Sequence, residues 1–409
     1  MSHRWKTLLV ATCFTASAAA QKEPGPPISK DVVRIGVLTD MSGPFSDIAG
    51  KGSVAAAQLA IDDFGGKVQG RRIELVSADH GNKVDVAASK AREWIDRDGI
   101  DMITDLLPSS VAIAVAKIAS EKKTPALIVS GGSTRLTNED CTPYTVHWMY
   151  DTYSQAVGTA ETLVRRGGDT WFFVTVDYAL GHAIQSDVTE AVSTRGGKVL
   201  GSVRHPSNAA DYSSYILQAQ ASKAKIIGLA NAGHDTVNTM KAAGQFGVTR
   251  KQKIAGLVMQ VNDIHSLGLE TAQGMVGTEG FYWDLNTASR EWSKRYFEKT
   301  RSMPNMVQAG VYSATLNYLR AVEKVGDNGT AVMSALKSMR ISDAVVPEGR
   351  IRADGRLMKD MYLVEVKSPA ESRYAWDYYK VLATIPPEQA FQPLEKSRCP
   401  LLGKDGMIR

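Results

Sequence analysis

"VVRIGVLTDMSGPFSDIAGKGSVAAAQLAIDDFGG", residues 32–66, decides the fold. The apolar run Val33–Leu38 stops at a polar loop holding Ser42, Gly43 and Pro44, and an alanine-rich helical pattern follows near 48–63. A short apolar run of this kind is a buried strand, so the segment reads strand, loop, helix. Such a loop is most often a plain connection. In an open parallel sheet it is also where ligands bind, because strand ends leave the backbone free and helix N-termini offer unpaired N–H groups. The other strand ends decide between the two readings.

Working outward, the alternation continues. Apolar runs at Ile73–Ser77, Asp101–Leu106 and Ala126–Val129 are separated by helical stretches near 84–97 and 110–121, the last with Val111, Ala114, Val115 and Ile118 at helix spacing. After a break at "CTPYTVHWMYDTYS" (141–154) the pattern restarts. Strands at 170–176, 198–203, 225–230 and 253–259 alternate with helices at 154–165, 182–195, 211–222 and 235–246. Strands separated by helices make βαβ units and a parallel sheet. The fold class is therefore α/β, with two Rossmann-like, doubly wound units in tandem. Beyond Gly280 come helices near 289–300, 307–324 and 330–339, then strands at 361–366 and 376–382, so the chain crosses between units more than once.

A length of 409 residues suits two domains, and 44% hydrophobic with 22% charged residues is a globular composition. No run of 18 apolar residues follows the N-terminal segment, which argues against a membrane span. His3, Arg4 and Lys6, the apolar stretch Thr7–Phe14 and Ala18-x-Ala20 read as a cleavable secretory signal peptide, against the alternative of a frayed helix. Thr12 before Cys13 is a poor lipidation context, so free release is expected. Cleavage takes the formal charge from +5 to +3 by removing Arg4 and Lys6, and the remaining basic residues are scattered, which gives no footprint for nucleic acid. Two cysteines remain, Cys141 and Cys399, in polar, turn-rich contexts. In an oxidising compartment a disulfide between them is favoured over two unrelated buried thiols.

The strand ends carry "LLPSSVAI" (106–113), "VSGGSTRLT" (129–137), "VDYALGHA" (176–183), "LANAGHD" (229–235) and "VMQVNDIH" (258–265). Ser109 and Ser110 start a helix, where serine caps the first turn or offers its hydroxyl to an anion. Gly131, Gly132, Ser133 and Thr134 set bare backbone and hydroxyls beside them.

At these loops the chain resembles the type I periplasmic binding proteins of the branched-chain amino acid class, the substrate-binding subunits of ABC transporters. The resemblance runs through the opening stretch, "LLPSSVAIAVAKIASEKKTPALIVSGGST", "DYALGHA", "GTEGFYWD" and "MVQAGVYSATLNYLRAVE", nearly the whole mature chain. It implies two lobes joined by a three-crossing hinge. Residues 1–20 would be the signal peptide and 21–30 a flexible leader; 31–147 with 281–343 would form lobe 1, 148–280 with 344–390 lobe 2, and 391–409 a tail. It implies that Ser109, Ser110, Gly132, Ser133 and Thr134 hold a ligand carboxylate. Tyr178, Leu180, Asn231, Ala232 and Gly233 would close from lobe 2, and Tyr150, Asp151 and Tyr153 would line the hinge side. Amino-acid binders of this class pair the ligand ammonium with an acid after the last lobe-2 strand. Alignment puts Leu257 there, so a hydrophobic, aromatic carboxylate without an amine fits better, unless Asp263 or Asp151 supplies the charge. The implied setting is a monomer in the periplasm, with no cofactor, handing ligand to an inner-membrane permease.

Two rivals stand beside this reading. An enzyme is disfavoured because the seven histidines are scattered and no HExxH, CxxC, GxSxG or P-loop pattern appears. A ligand sensor of the same fold is compatible with the sequence, since fold does not fix function.

Overall fold

A computed structural model describes residues 1 and 26–403; positions 2–20 of the expected signal peptide and 21–25 of the leader lie outside the described residues. The first sheet has six strands: β1 (Val32–Thr39), β2 (Lys67–Val68), β3 (Arg71–Asp79), β4 (Met102–Asp105), β5 (Ala126–Ile128) and β6 (Thr145–His147). Their order is β2-β3-β1-β4-β5-β6, all parallel except the β2–β3 pair. Helices α1 (Gly50–Phe64), α2 (Val84–Glu93) and α3 (Ser109–Glu121) connect them. From β1 the chain moves to β3 on one side and to β4 on the other. That reversal is the switch point of a doubly wound sheet, and the loops after β1 and β4 flank it.

The second unit begins with α4 (Thr152–Arg165) and runs β7 (Thr170–Val176), α5 (Ala179–Thr194), β8 (Lys198–His205), α6 (Ser213–Ala221), β9 (Ile226–Ala230), α7 (His234–Gln245), β10 (Lys253–Gly256), α8 (Val261–Leu267), α9 (Leu269–Ala272) and β11 (Val276–Glu279). Its reversal lies between β7 and β9, within a seven-stranded sheet ordered β16-β15-β11-β10-β9-β7-β8. The chain then returns to the first sheet through α10 (Thr287–Thr300), α11 (Met306–Val325) and α12 (Gly329–Ser338). α11 is buried along most of its length and packs on α1. β12 (Arg340–Ile341), β13 (Gly349–Ile351) and β14 (Leu357–Lys359) form a small antiparallel sheet that the apolar pattern did not announce. β15 (Met361–Val366) and β16 (Tyr379–Ile385) then extend the second sheet antiparallel, followed by α13 (Pro387–Ala390).

Two expectations need correction. The flexible leader does not extend through residue 30. Ile28 is buried, Ser29 hydrogen-bonds Asp327 through its backbone N–H (3.0 Å) and hydroxyl (2.7 Å), and the Lys30 ammonium reaches Asp101 at 2.6 Å. The strand expected at 253–259 stops at Gly256. Its apolar continuation, Leu257–Met259, is a buried loop entering α8.

Cys141 and Cys399 are bonded to each other, with Cα atoms 5.6 Å apart. The bond fastens the C-terminal segment to the loop before β6.

Candidate functional site

The loops of the two switch points face each other. Gly233, after β9, has φ +60°, and a Cβ there would lie 3.0 Å from the Pro44 carbonyl oxygen in the loop after β1. Only glycine tolerates both the left-handed backbone and that approach. Nearby, His234 Nε2 stands 3.5 Å from Asp47 Oδ2. Asn305 Nδ2 donates to Asn262 Oδ1 at 2.8 Å, and Asn262 Nδ2 donates to Ser302 Oγ at 3.2 Å. The two lobes therefore touch along one rim of the cleft, around a recess of 330 Å³ lined by Pro44, Ile48, His234, Asn262 and Asp263.

Inside, lobe 1 presents hydroxyls. α3 opens after Pro108 without a side-chain cap, so its first N–H groups are left for another acceptor. Ser109 does not cap the helix. Its Oγ accepts the Ser133 N–H at 3.1 Å, which leaves the Ser109 hydroxyl proton to be donated elsewhere. Ser133 Oγ accepts the Arg135 N–H at 3.4 Å and likewise keeps its own proton. Ser109 and Ser133 are buried, Ser110 and Thr134 half-buried. Thr134 Oγ1 accepts from the Thr152 hydroxyl at 3.4 Å. The approach to this turn is strained: Asp105 and Leu106 hold φ +78° and +66°. Left-handed non-glycine residues cost about 1–3 kcal/mol each and concentrate at functional sites. No residue pattern announces this strain. Asp105 is fully buried, accepts from the Ser130 hydroxyl, and burial raises its carboxyl.

Gly132 makes room for an aromatic wall. A Cβ on it would meet the Tyr150 ring at 2.7 Å. The Tyr150 hydroxyl donates to the Ser130 carbonyl at 2.9 Å, and burial with the charges of Asp105 and Glu279 holds its phenol above the ordinary range. Tyr178, the residue before α5, has a buried hydroxyl without a hydrogen-bond partner among the described residues. Burial, Asp235 and Tyr150 all raise its phenol. Leu180 and Ala232 are buried beside these loops.

Other candidates are occupied within the protein. Asp151 accepts the Ser154 N–H at 2.7 Å to cap α4, and faces Arg356 Nη1 at 3.4 Å. The amide of Asn231 is used inside lobe 2, bonding His205 (3.1 Å), Thr236 (2.9 Å) and Thr239 (3.2 Å). Tyr153 is half-buried near Glu190, Glu161 and Asp187. Leu257 continues the β10 pairing, its N–H bonding the Leu229 carbonyl at 3.3 Å, and its side chain joins the apolar core. Asp263 Oδ2 accepts the Gln260 N–H at 2.9 Å at the start of α8, and burial pushes its carboxyl up to about 8.

Sequence reasoning missed two groups. The first is Arg356, fully buried at the hinge. Its guanidinium donates to the Tyr150 carbonyl at 3.1 Å and lies 4.5 Å over the Phe391 ring, tying hinge, small sheet and tail together. Burial lowers it to about 10. The second is a set of buried polar side chains in lobe 2, Gln155, Gln260 and Glu279, with amide or carboxyl atoms lacking partners among the described residues. A glutamate closing the apolar strand "MVGTEGFYW" was the one available signal.

Residues 32–372 match the sequence profile of a family described as periplasmic binding protein. A solved periplasmic binding protein from Burkholderia mallei is 52% identical, covering 91% of this chain and 99% of its own, with a TM-score of 0.89. A branched chain amino acid ABC transporter periplasmic ligand-binding protein from Burkholderia xenovorans LB400 is 42% identical, covering 90% and 99%, with a TM-score of 0.81. A solute binding protein of an ABC transporter from Rhodopseudomonas palustris BisB5, solved with 3,4-dihydroxy benzoic acid, is 20% identical, covering 88% and 98%, with a TM-score of 0.81. That last likeness is one of fold alone.

Proposed function

The chain belongs to the periplasmic binding protein family, in the branched-chain amino acid class of ABC-transporter components, and from that membership we propose that it captures a small hydrophobic carboxylate, an aromatic acid above all, between its lobes. It would deliver that ligand to a permease in the inner membrane, working in the periplasm as a monomer without catalysis. Among the described residues no helix is long and apolar enough to cross a membrane.

The observation that carries the reading is the Ser133 N–H bond to Ser109 Oγ, which brings the two serines together at the uncapped start of α3, with the Tyr150 ring packed against the neighbouring Gly132. Hydroxyls and helix N–H groups suit a carboxylate, and aromatic faces suit a ring. The acids offered as ammonium partners support the absence of an amine. Asp151 caps a helix beside Arg356, and Asp263 is committed to the start of α8. The dihydroxybenzoate complex of the R. palustris neighbour supports an aromatic acid only as something this scaffold can admit.

The description of the B. xenovorans relative favours a second reading, a branched-chain or aromatic amino acid in the same cleft. A thermal-shift screen separates the two. A ligand at 100 times its Kd stabilises the folded state by about 2.7 kcal/mol. Aromatic acids should raise the melting temperature and amino acids should not; the reverse pattern would replace the first reading with the second.

A further inference from the structure

We infer that the pole of lobe 2 farthest from the cleft is a docking surface for an anionic phospholipid membrane. It is a different face from the ligand site and stands whatever the ligand is.

The basic residues are scattered along the sequence, and the fold gathers them. β7, β8, β9 and β10 run parallel in the order β10-β9-β7-β8, so their starts lie side by side. Hydrogen bonds tie the entry loops together. The Lys253 N–H donates to the Lys225 carbonyl at 2.9 Å, and the Lys198 N–H to the Asp169 carbonyl at 2.7 Å. Between them the Lys225 N–H reaches Thr170 Oγ1 at 3.0 Å. Segments 161–170, 195–198, 222–225 and 249–253 thus close on one end of the sheet, with nine basic residues against two acids, Glu161 and Asp169. The whole chain carries +5, so the remainder of the molecule is net negative. The loop after β9 meets lobe 1 at Gly233, which puts the basic pole at the opposite end of the strands from the cleft.

The two acids are already committed. Glu161 pairs with Arg195 at 2.7 Å and with Arg165 at 3.7 Å, and Asp169 pairs with Lys225 at 2.9 Å. Arg166, Lys198, Lys223, Arg250, Lys251 and Lys253 are exposed and have no ion-pair partner among the described residues. Four of them, Arg166, Arg250, Lys251 and Lys253, join Lys225 around a recess of 400 Å³ whose lining holds no acid. Like charges gathered on one face repel each other, and an anionic partner relieves that repulsion.

Two features favour a lipid surface. The free cations are spread over four loops, which suits a plane of many anions better than one small ligand, and the recess suits a headgroup phosphate. Phe246, at the end of α7, is 40% exposed, and the next residue, Gly247, accepts the Arg250 N–H at 3.3 Å. An exposed apolar ring beside basic residues matches the boundary between headgroups and acyl chains. Contact through this pole holds the protein at the membrane and leaves the cleft loops free.

The test is co-sedimentation of the mature chain with phosphatidylglycerol vesicles and with phosphatidylcholine vesicles. At low salt the first should retain the protein and the second should not. At about 1 M salt, where the screening length is about 3 Å, retention should be lost. Each basic residue beside an anionic surface raises affinity about fivefold, so Arg250→Gln, Lys251→Gln and Lys253→Gln combined should weaken retention about a hundredfold. Removing the same charge from lobe 1, with Lys67→Gln, Arg72→Gln and Lys83→Gln, should leave it nearly unchanged. The melting temperatures of both triple variants should match that of the native chain, since all six side chains are exposed. No retention on phosphatidylglycerol at low salt, or equal weakening by the two triple variants, overturns the inference. Retention on native inner-membrane vesicles but not on pure phosphatidylglycerol would assign the face to an acidic protein and overturn it as well.

Discussion

The Ser133 backbone N–H donates to Ser109 Oγ across 3.1 Å, which locks the loop after β5 to the first turn of α3. The bond orients the Ser109 hydroxyl proton away from Ser133. Ser109→Ala removes that proton and strands the Ser133 N–H in a buried site. A hydrogen bond to a charged group is worth about 1.5–3 kcal/mol, so ligand affinity should fall roughly tenfold to a hundredfold. Titration of Ser109→Ala and Ser133→Ala checks this, and unchanged affinity in both would move the anion site elsewhere.

Asn262 bridges the lobes, accepting from Asn305 and donating to Ser302. Those bonds exist only while the lobes touch. Asn262→Ala should leave the unliganded melting temperature nearly unchanged and weaken binding by about fivefold to a hundredfold, for two bonds of about 0.5–1.5 kcal/mol each. Small-angle scattering should show the native chain compacting on ligand and the variant compacting less. A native chain that keeps one radius of gyration at saturation would argue against hinge closure.

The Cys141–Cys399 bond spans 258 residues of sequence. In the chain-entropy model a loop of this length contributes about 5 kcal/mol, and measured values are often smaller. Replacing both cysteines by alanine should lower the denaturant midpoint without altering the ligand preference. Denatured, unreduced mature protein should show no free thiol. Two free thiols would refute the pairing.

Asp263 gives a pH signature. Burial raises its carboxyl from 3.8 to about 8 in the folded chain. The folded state therefore holds a proton that the unfolded state releases above about 4. The associated stability is fully present below that point and is lost as pH rises through 8. Asp263→Asn, which mimics the protonated acid, should flatten this loss, so native and variant melting temperatures should diverge from pH 5 to pH 8. Parallel curves would show that Asp263 ionises as an ordinary surface acid.

Much of the fold was legible because buried parallel strands are continuous apolar runs and their helices keep a 3.6 period. "VVRIGVLT" and "TWFFVTV" are such runs, and both form strands at switch points. The small β12–β14 sheet was not legible, since its strands have two or three residues and no periodicity to read. At the site, Ser109, Ser133 and Gly132 could be found because hydroxyls and glycines after strands have a local meaning. Arg356 and Glu279 could not, because their partners lie far along the chain: Tyr150 and Phe391 for the first, Tyr379 for the second. Asp151 illustrates the converse. Its position beside the cleft suggested a ligand contact, and the structure shows a helix cap paired with a buried arginine.

The most direct measurement compares 3-phenylpropionate with phenylalanine by calorimetry on the mature chain. The two differ only in the α-amino group, and burying an unpaired ammonium costs several kcal/mol even after relaxation. At about 1.4 kcal/mol per factor of ten, the deaminated acid should bind about a hundredfold tighter or more. Tight binding of phenylalanine with no detectable binding of 3-phenylpropionate would contradict the account.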